Sequence, residues 1–354
     1  MFSIIFALSL YVILLIVLGK YEKAKKNSIL LLFLFAVIMS FSKDLGRDYN
    51  SYFYNYEINY YSMIFSIKEC IWSLLFIVSK FFTLDFIYLM LFIKIMTVTF
   101  FYYGLKNLKL NDLSFTIAII CFIYVPAITF LNIVRQGLAI TIFFYAYSFL
   151  HLKKRKKYIL WSIVAFFIHS SIVIIFFVNL LINLKKTRIN IMKFKYMLII
   201  LLFTLIFISV ISLYDNDIIE ILNFLNLSDY IDLSQLEISI KNLFSPIVIA
   251  NSLLIMYFIY DETKTNNKTK DVHTICFIGM ILNIFSTISY IFDRVGILFS
   301  FYNPYMFSLI ANESYISNSK KHSVYMILIF YCVNFVLNVF VYGEANHLIY
   351  NFYF

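Results

Sequence analysis

A short polar cluster interrupts the apolar sequence between positions 132 and 139. The run Asn132-Ile133-Val134-Arg135-Gln136 places one guanidinium and two amides directly before the hydrophobic run 140–150. An ionisable side chain within or beside the bilayer core is costly unless a partner compensates its charge, so it marks a candidate site. A planar guanidinium binds two oxygens of a phosphate or carboxylate at once. Arg135 is therefore predicted to bind an anionic group, with Asn132 and Gln136 beside it.

Three further polar islands lie in apolar surroundings. They are Gly46-Arg47-Asp48-Tyr49, His169-Ser170-Ser171 and Asp293-Arg294. Arg47 and Arg294 bring the number of candidate guanidiniums to three, which suits a substrate that carries a diphosphate near the membrane surface. The alternative is that each arginine only anchors a helix end at the interface.

Two side chains in these islands are candidate general bases. Asp48 and His169 each lie beside a predicted phosphate-binding island, so either can accept a proton from an attacking hydroxyl. Both also have structural interpretations. Asp48 can neutralise Arg47, and His169 can bond a neighbouring backbone or hydroxyl group. In the same way Asp293 can serve only to orient Arg294.

Six tyrosines and a phenylalanine lie close together in the sequence from Tyr49 to Tyr61, at and after the island Gly46-Arg47-Asp48-Tyr49. Such residues form belts at membrane–water interfaces, and they can also stack on sugars above a site. The two roles are compatible. The residues are Tyr49, Tyr52, Phe53, Tyr54, Tyr56, Tyr60 and Tyr61.

Composition identifies the class of protein. The chain is 62% hydrophobic, 20% aromatic and only 14% charged, with a mean hydropathy of +0.87. Soluble domains are about half apolar and a quarter charged. Apolar runs near the roughly 18 to 20 residues needed to cross a bilayer recur along the chain. The sequence therefore predicts a single, all-α, polytopic membrane domain over residues 1–354, whose first apolar run is a retained helix and not a signal peptide.

Charge and cysteine usage exclude other classes of function. The net charge is +10, but the excess lysine lies in short loops, as the cytoplasmic loops of membrane proteins require. No nucleic-acid partner is expected. The sequence holds no CxxC, no HExxH and no glycine-rich phosphate loop, so neither a metal nor a cofactor is predicted.

The lysines also predict the orientation. Loops at 20–26, 153–157 and 261–271 are predicted to be cytoplasmic, whereas 43–69 and the acidic segment 215–237 are predicted to be external. About ten spans result by the length of the apolar runs. They are 2–18, 28–41, 86–103, 113–130, 133–150, 196–213, 244–260, 272–291, 296–311 and 324–341. This topology gathers Arg47, Asp48, Arg135, Asp293 and Arg294 at the external face.

Two apolar segments do not fit a simple span. Residues 71–82 are too few to cross and are predicted to be re-entrant or interfacial. Residues 158–182 are flanked by basic clusters on both sides and carry His169 near the middle. A broken, re-entrant hairpin is favoured there over one long helix with a basic outer loop.

The order of the islands resembles a known family. Gly46-Arg47-Asp48-Tyr49-x-x-Tyr52, Asn132-x-x-Arg135-Gln136-x-Leu138-Ala139, Phe167-x-His169-Ser170-Ser171 and Arg294 are similar to the EpsG family, among the Wzy-like polymerases of bacterial surface polysaccharides. The resemblance covers roughly residues 44–305 and implies a fold similar to the GT-C glycosyltransferases. The chain departs from larger relatives in lacking a long external globular loop.

The resemblance implies a repeat-unit polymerase of O-antigen, capsule or exopolysaccharide. Such a glycosyltransferase joins oligosaccharides on undecaprenyl diphosphate at the outer face of the inner membrane, with inversion and without a metal. Arg135 and Arg294 would hold the diphosphate with help from Arg47. Asp48 or His169 would take the proton. The further substrate contacts would be Asn132, Gln136, Tyr49 and Tyr52.

The interpretation as a repeat-unit polymerase also predicts the partners, and two alternative functions stay open. The expected partners are the lipid-linked donor and acceptor and the bilayer, and a chain-length regulator is left open. One alternative is a ligase or single-sugar transferase that uses the same lipid donor. Another is a flippase or transporter of lipid-linked oligosaccharide. Such a protein should show internal sequence duplication and cationic groups that are reachable from both sides of the membrane. The sequence shows no duplication, and its islands are predicted to lie on one side.

Overall fold

The structure confirms an all-α membrane protein. The computed structural model describes residues 2–43, 46, 48–57, 69–184, 199, 203–204, 246–263, 270–286, 290–311, 318–341 and 351–352. The described residues are mainly helical. Two strands of two residues each, β1 (Ser42–Lys43) and β2 (Asn351–Phe352), pair antiparallel with Ser42 opposite Phe352.

The helices of the first half of the chain carry or adjoin three of the four predicted islands. They are α1 (Phe2–Val17), α2 (Tyr21–Ser40), α3 (Tyr49–Glu57), α4 (Cys70–Phe81), α5 (Phe86–Asn107), α6 (Asp112–Tyr124), α7 (Pro126–Asn132), α8 (Val134–His151), α9 (Arg155–Ile168) and α10 (Ile172–Leu184).

The second half contributes further helices. They are α11 (Pro246–Thr263), α12 (Lys270–Phe285), α13 (Tyr290–Ser300), α14 (Asn303–Leu309) and α15 (Asn318–Val336), which continues into a π-helical turn at Leu337–Val341. The predicted span 196–213 lies almost entirely outside the described residues.

The described part of the chain holds three helical segments long and apolar enough to cross a membrane. They are Phe86–Asn107, Asp112–Asn132 and Lys321–Val341, and shorter apolar helices accompany them. The membrane class is thereby confirmed, whereas the total of about ten spans stays a prediction. Helix α4 has the dozen residues expected of the short segment at 71–82.

Three predicted segments are interrupted. The span 113–130 is divided at Val125, because Pro126 has no N–H for an α-helix that continues through it and instead occupies the start of α7. The span 296–311 is divided at Phe301 and Tyr302, between α13 and α14. The segment 158–182 is divided at His169 into α9 and α10, so one long continuous helix is wrong.

The chain divides into two compact units, residues 1–176 with 307–354, and residues 177–306. The prediction of one integral membrane domain stays a prediction. In the first unit α6 is buried along its whole length from Leu113 to Tyr124. In the second unit α12 and α13 approach closely at Gly279, where an added Cβ would lie 2.8 Å from the backbone nitrogen of Ser300. Small residues permit such contacts between membrane helices.

Candidate active site

The carboxylate of Glu69 joins two of the predicted site residues. Its Oε2 accepts a hydrogen bond from Nη1 of Arg135, and its Oε1 lies 2.8 Å from Nδ1 of His169. The three residues are separated by 66 and 100 positions in the sequence, so only the tertiary fold brings them together. The Glu69 side chain is 15% exposed, compared with 21% for His169 and 32% for Arg135. The cluster is therefore half-buried and open to a ligand.

Arg135 lies in the first turn of α8, just after the break that separates α8 from α7. The break is at Ile133, whose φ of −126° and ψ of 54° are not helical. Gly137 permits the close approach of the two helices, since an added Cβ would lie 2.6 Å from Cγ of Phe130. The partial positive charge of a helix N-terminus adds to that of the guanidinium. This corner of the molecule therefore favours an anion, and Glu69 is one that it already binds.

His169 ends α9 in an extended conformation, with a φ of −152° and a ψ of 119°. The helix is interrupted here, and the Tyr158 ring in the first turn of α9 stacks on Phe176 of α10 with ring centroids 5.8 Å apart. The break favoured by the sequence is thus observed, whereas a re-entrant hairpin stays a prediction. His169 lies between the two helices.

The environment of Glu69 keeps its carboxylate ionised. Burial raises its pKa, but the hydrogen bond from His169 and the charge of Arg135 outweigh burial and leave the pKa below its ordinary value. An ionised carboxylate only accepts hydrogen bonds, so Nδ1 of His169 must be the donor. The opposite nitrogen, Nε2, makes no hydrogen bond to the described residues. In neutral imidazole this tautomer leaves Nε2 free to accept a proton.

Gly46 packs against Leu131, which immediately precedes Asn132 in the segment that also carries Arg135. Gly46 has a φ of +101°, and an added Cβ would lie 2.7 Å from the carbonyl carbon of Leu131 and closer still to its oxygen. Only glycine fits this position. Asp48 is half-buried directly before α3, and its carbonyl oxygen accepts the N–H of Tyr52 at 3.0 Å. The structure thus brings the segment of Asp48 beside that of Asn132 and Arg135.

The aromatic residues of α3 are used in packing. Tyr49 is buried, with its ring 5.5 Å from that of Phe86 and stacked at 6.4 Å on Phe53. Little of its ring surface is left for a sugar. Tyr52 is half-buried and packs edge-on against Trp72, which lies one helical turn beyond Glu69. Tyr52 is thus more exposed than Tyr49, and the predicted substrate contact of each tyrosine stays a prediction.

Comparison with known families decides what kind of protein carries this cluster. The sequence model of the EpsG family matches residues 26–354. The chain belongs to the EpsG family. This family is associated with polysaccharide polymerisation, and the resemblance seen in the motifs is confirmed. No curated protein and no solved structure matches the chain.

The other residues predicted for this EpsG family member have different positions. Gln136 is 3% exposed and Asn132 half-buried, both beside Arg135. Arg294 is half-buried in α13, directly after Asp293 of the first turn, and belongs to the second unit. Its predicted role with Arg135 stays a prediction. Arg47 lies outside the described residues.

Two charged residues of this EpsG family member were missed by sequence reasoning. Glu69 is the last residue of a segment interpreted as an external loop. Its local signal is weak, since it consists only of a carboxylate immediately before an apolar helix. Lys94 carried a stronger signal, since it lies inside the apolar span Phe86–Asn107, where an ionisable residue is a candidate site by default.

The described residues also bear on metal binding. Among them, no group of three or more His, Cys, Asp or Glu side chains is placed to hold a metal ion. The prediction of a site without metal or cofactor stays a prediction. The described chemistry is that of a cation, a carboxylate and an imidazole.

Proposed function

We propose that this chain is a glycosyltransferase that polymerises oligosaccharide repeat units carried on undecaprenyl diphosphate, at the outer face of the bacterial cytoplasmic membrane. The observation that carries the proposal is the shared carboxylate of Glu69, which holds an anion-binding group, Arg135, beside a proton acceptor, His169. Membership of the EpsG family supports the same class of reaction. Transfer from a diphosphate-linked donor needs both groups at one place.

The reaction joins two lipid-linked chains. A sugar hydroxyl of the incoming unit attacks the anomeric carbon of the reducing-end sugar of the growing chain. The new glycosidic C–O bond forms as the bond from that carbon to the diphosphate oxygen breaks, and undecaprenyl diphosphate leaves with the bonding electrons. Nε2 of His169 takes the proton of the hydroxyl. One such displacement inverts the anomeric carbon.

Arg135 is placed to stabilise the leaving group. Its Nη1 donates to Glu69, while Nε and Nη2 make no hydrogen bond to the described residues. Donors aimed at developing charge in a water-poor site stabilise a transition state without metal. Arg47 and Arg294 are proposed to assist, as the sequence predicted.

His169 is preferred to Asp48 as the base. A carboxylate bound to Nδ1 fixes the tautomer of an imidazole and stabilises the imidazolium that forms, as in hydrolase triads. Glu69 is such a carboxylate for His169, whereas the segment of Asp48 lies beside that of Arg135. Substitution separates them. His169→Gln should lower the rate about 10²- to 10⁴-fold, and Asp48→Asn much less. The reverse order would make Asp48 the base.

The proposal is tested first in a deletion strain. Surface glycan that stops at one repeat unit supports a polymerase. Loss of all surface glycan, with lipid-linked units retained on the inner face, would instead indicate a flippase. Intact long glycan that is no longer attached to its final acceptor would indicate a ligase.

Purified protein gives the second test. Incubation with a synthetic lipid-linked repeat unit should produce a ladder of longer lipid-linked glycans and free undecaprenyl diphosphate. Addition of only a single sugar would indicate a simple transferase. If the same protein restores polymerisation in cells but forms no product in this assay, the absence of product would contradict the assignment.

A further inference from the structure

Lys94 is a cation inside the membrane-spanning helix α5 that the reaction described above does not use. It lies eight residues beyond the first residue of the helix, and its Nζ donates to the carbonyl oxygen of Met39 at 2.5 Å. Among the described residues, no carboxylate lies within ion-pair distance of this nitrogen. A charged side chain at the centre of a membrane helix disfavours insertion roughly a hundredfold. Some compensating interaction is therefore expected.

The contact with Met39 compensates only part of this cost. Met39 lies in the last turn of α2, where the final carbonyls of a helix lack partners and a cation is favoured. A cation at such a site is favoured about two- to fivefold when exposed and up to about thirtyfold when partly buried, which is still short of a hundredfold. The ammonium also has three N–H donors, of which the described contacts use one. Lys94 thus has two N–H donors left for a further, anionic partner, which would also favour the charged form of the amine.

The surroundings of Lys94 connect it to the candidate active site. The ammonium-bearing side chain lines a cavity of about 30 Å³ together with Phe130, Leu131 and Val134. Leu131 and Val134 immediately precede Asn132 and Arg135. Gly46 of the first island packs on the other side of Leu131. Lys94 and Arg135 therefore flank the same short connection between α7 and α8.

We propose that Lys94 is the second cation of the diphosphate site, binding one phosphate group while Arg135 binds the other. This inference rests on the proposed function, which supplies the diphosphate. A cavity of 30 Å³ has room for about one water molecule. A phosphate group is too large for this cavity, so the proposed site requires the flexible four-carbon lysine stem to present the amine outside it. Two cations favour a diphosphate over a monophosphate, because each phosphate group of the diphosphate can bind one of them.

The test measures binding, so that it does not depend on turnover. Purified protein in detergent is titrated with geranylgeranyl diphosphate, geranylgeranyl monophosphate and inorganic diphosphate. The wild type should prefer the diphosphate lipid to the monophosphate lipid. Lys94→Met keeps the length of the side chain without charge, and should weaken binding of the diphosphate lipid about ten- to a hundredfold, as expected for a lost charged hydrogen bond. The monophosphate should be affected less, so the preference falls.

The matched control is Lys25→Met. Lys25 lies near the opposite end of α2 from Met39 and pairs with Asp112 at 2.7 Å. Removing it takes away a partly buried lysine from α2, the helix that Lys94 contacts through Met39, without touching the candidate site. Its affinity for every probe should stay at the wild-type value. An equal loss in both variants would mean that general destabilisation, and not a phosphate contact, explains the effect.

Two further variants separate this inference from the function on which it rests. Lys94→Arg keeps the charge and should retain most of the affinity, whereas Lys94→Gln should not. This pair serves if Lys94→Met does not fold. A different result is that all Lys94 variants keep the wild-type affinity and selectivity while Arg135→Ala loses binding. This result would mean that Lys94 only caps helix α2, and it would leave the proposed polymerase function unaffected. No binding of diphosphate lipid by the wild type would contradict the proposed function itself.

Inorganic diphosphate identifies what the cations recognise. Comparable loss for inorganic and lipid diphosphate in Lys94→Met would show recognition of the phosphates themselves, as proposed. A loss confined to the two lipid probes, equal for monophosphate and diphosphate, would place Lys94 on the lipid chain and overturn the assignment.

Discussion

Nδ1 of His169 and Oε1 of Glu69 lie 2.8 Å apart, although 100 residues separate them in the sequence. Each residue stands at the edge of a helix, His169 after α9 and Glu69 before α4. The pair therefore depends on the fold to meet, and the second carboxylate oxygen binds Arg135 at the same time. One side chain thus positions both the proposed base and the proposed anion-binding group.

Glu69→Gln is expected to impair polymerisation by about a hundredfold or more, within the range of a lost general base. The glutamine has the same size, but its NH₂ can donate to Nδ1 and so leave the proton on Nε2, the wrong tautomer for a base. The measurement is the rate of ladder formation by purified protein. Glu57→Gln is the control, because Glu57 also pairs with a cation, Lys80, at 3.0 Å. Similar rates in the two variants would make Glu69 a purely structural residue.

Arg135→Ala is expected to abolish polymerisation, and Arg135→Lys to impair it severely. Lysine keeps the charge but loses the planar fork that holds two oxygens at once. Loss of one such contact costs about 3 kcal/mol, or roughly a hundredfold in rate. Immunoblots of membrane fractions should show normal protein levels. Long glycan from a normally expressed Arg135→Ala strain would make the arginine a helix anchor only.

The Glu69 cluster should make stability depend on pH in the acid range. The folded pKa of Glu69 lies below its ordinary value of 4.5. As the pH falls, the Glu69 carboxylate is therefore protonated in the unfolded chain before it is protonated in the folded one. Its contribution to the free energy of unfolding is full above pH 4.5 and is lost as the pH falls through the lower, folded pKa. Thermal unfolding in detergent should show the wild type more stable than Glu69→Gln by a constant difference at neutral pH. The difference should shrink below pH 4.5. A difference that grows below pH 4.5 would contradict the ionised carboxylate.

The sequence predicted the membrane class and several helices well, because long apolar runs have few alternative structures. It predicted Arg135 and His169 as site residues from their cost in apolar surroundings; the fold brings the two together on Glu69, and their roles stay predictions. It favoured the break at His169 because of basic clusters on both sides. It did not predict Glu69, because a carboxylate at the end of a polar loop has only a weak local signal and its partners are distant in sequence. The predicted substrate contact of Tyr49 stays a prediction, and the fold packs that ring against Phe86.

Gly46→Ala is expected to reduce polymerisation strongly. The new Cβ would meet the backbone at Leu131, and the positive φ adds strain, so the loop that carries Asp48 must move away from the arginine segment. Gly19→Ala is the matched control, since Gly19 also has a positive φ, of 71°, but its Cβ would have open space. The rate of ladder formation is measured for both variants. Gly19→Ala introduces backbone strain alone, whereas Gly46→Ala introduces backbone strain and a steric clash with Leu131. Equal activity would show that the close packing of Gly46 on Leu131 does not matter for catalysis.

The last prediction concerns the side of the membrane that the site faces. The lysine pattern predicts that Glu69 is external and Arg155 cytoplasmic. Cys70, the neighbour of Glu69, is an exposed free cysteine and provides a natural probe, whereas Cys121 and Cys276 are buried. An impermeant maleimide added to intact cells, with the outer membrane opened where there is one, should label the wild type, and Cys70→Ser should remove the label. In that background Arg155→Cys should react only after the cytoplasmic membrane is permeabilised. Labelling of position 155 from outside, with Cys70 protected, would place the Glu69 cluster in the cytoplasm, where an external polymerase cannot have its active site.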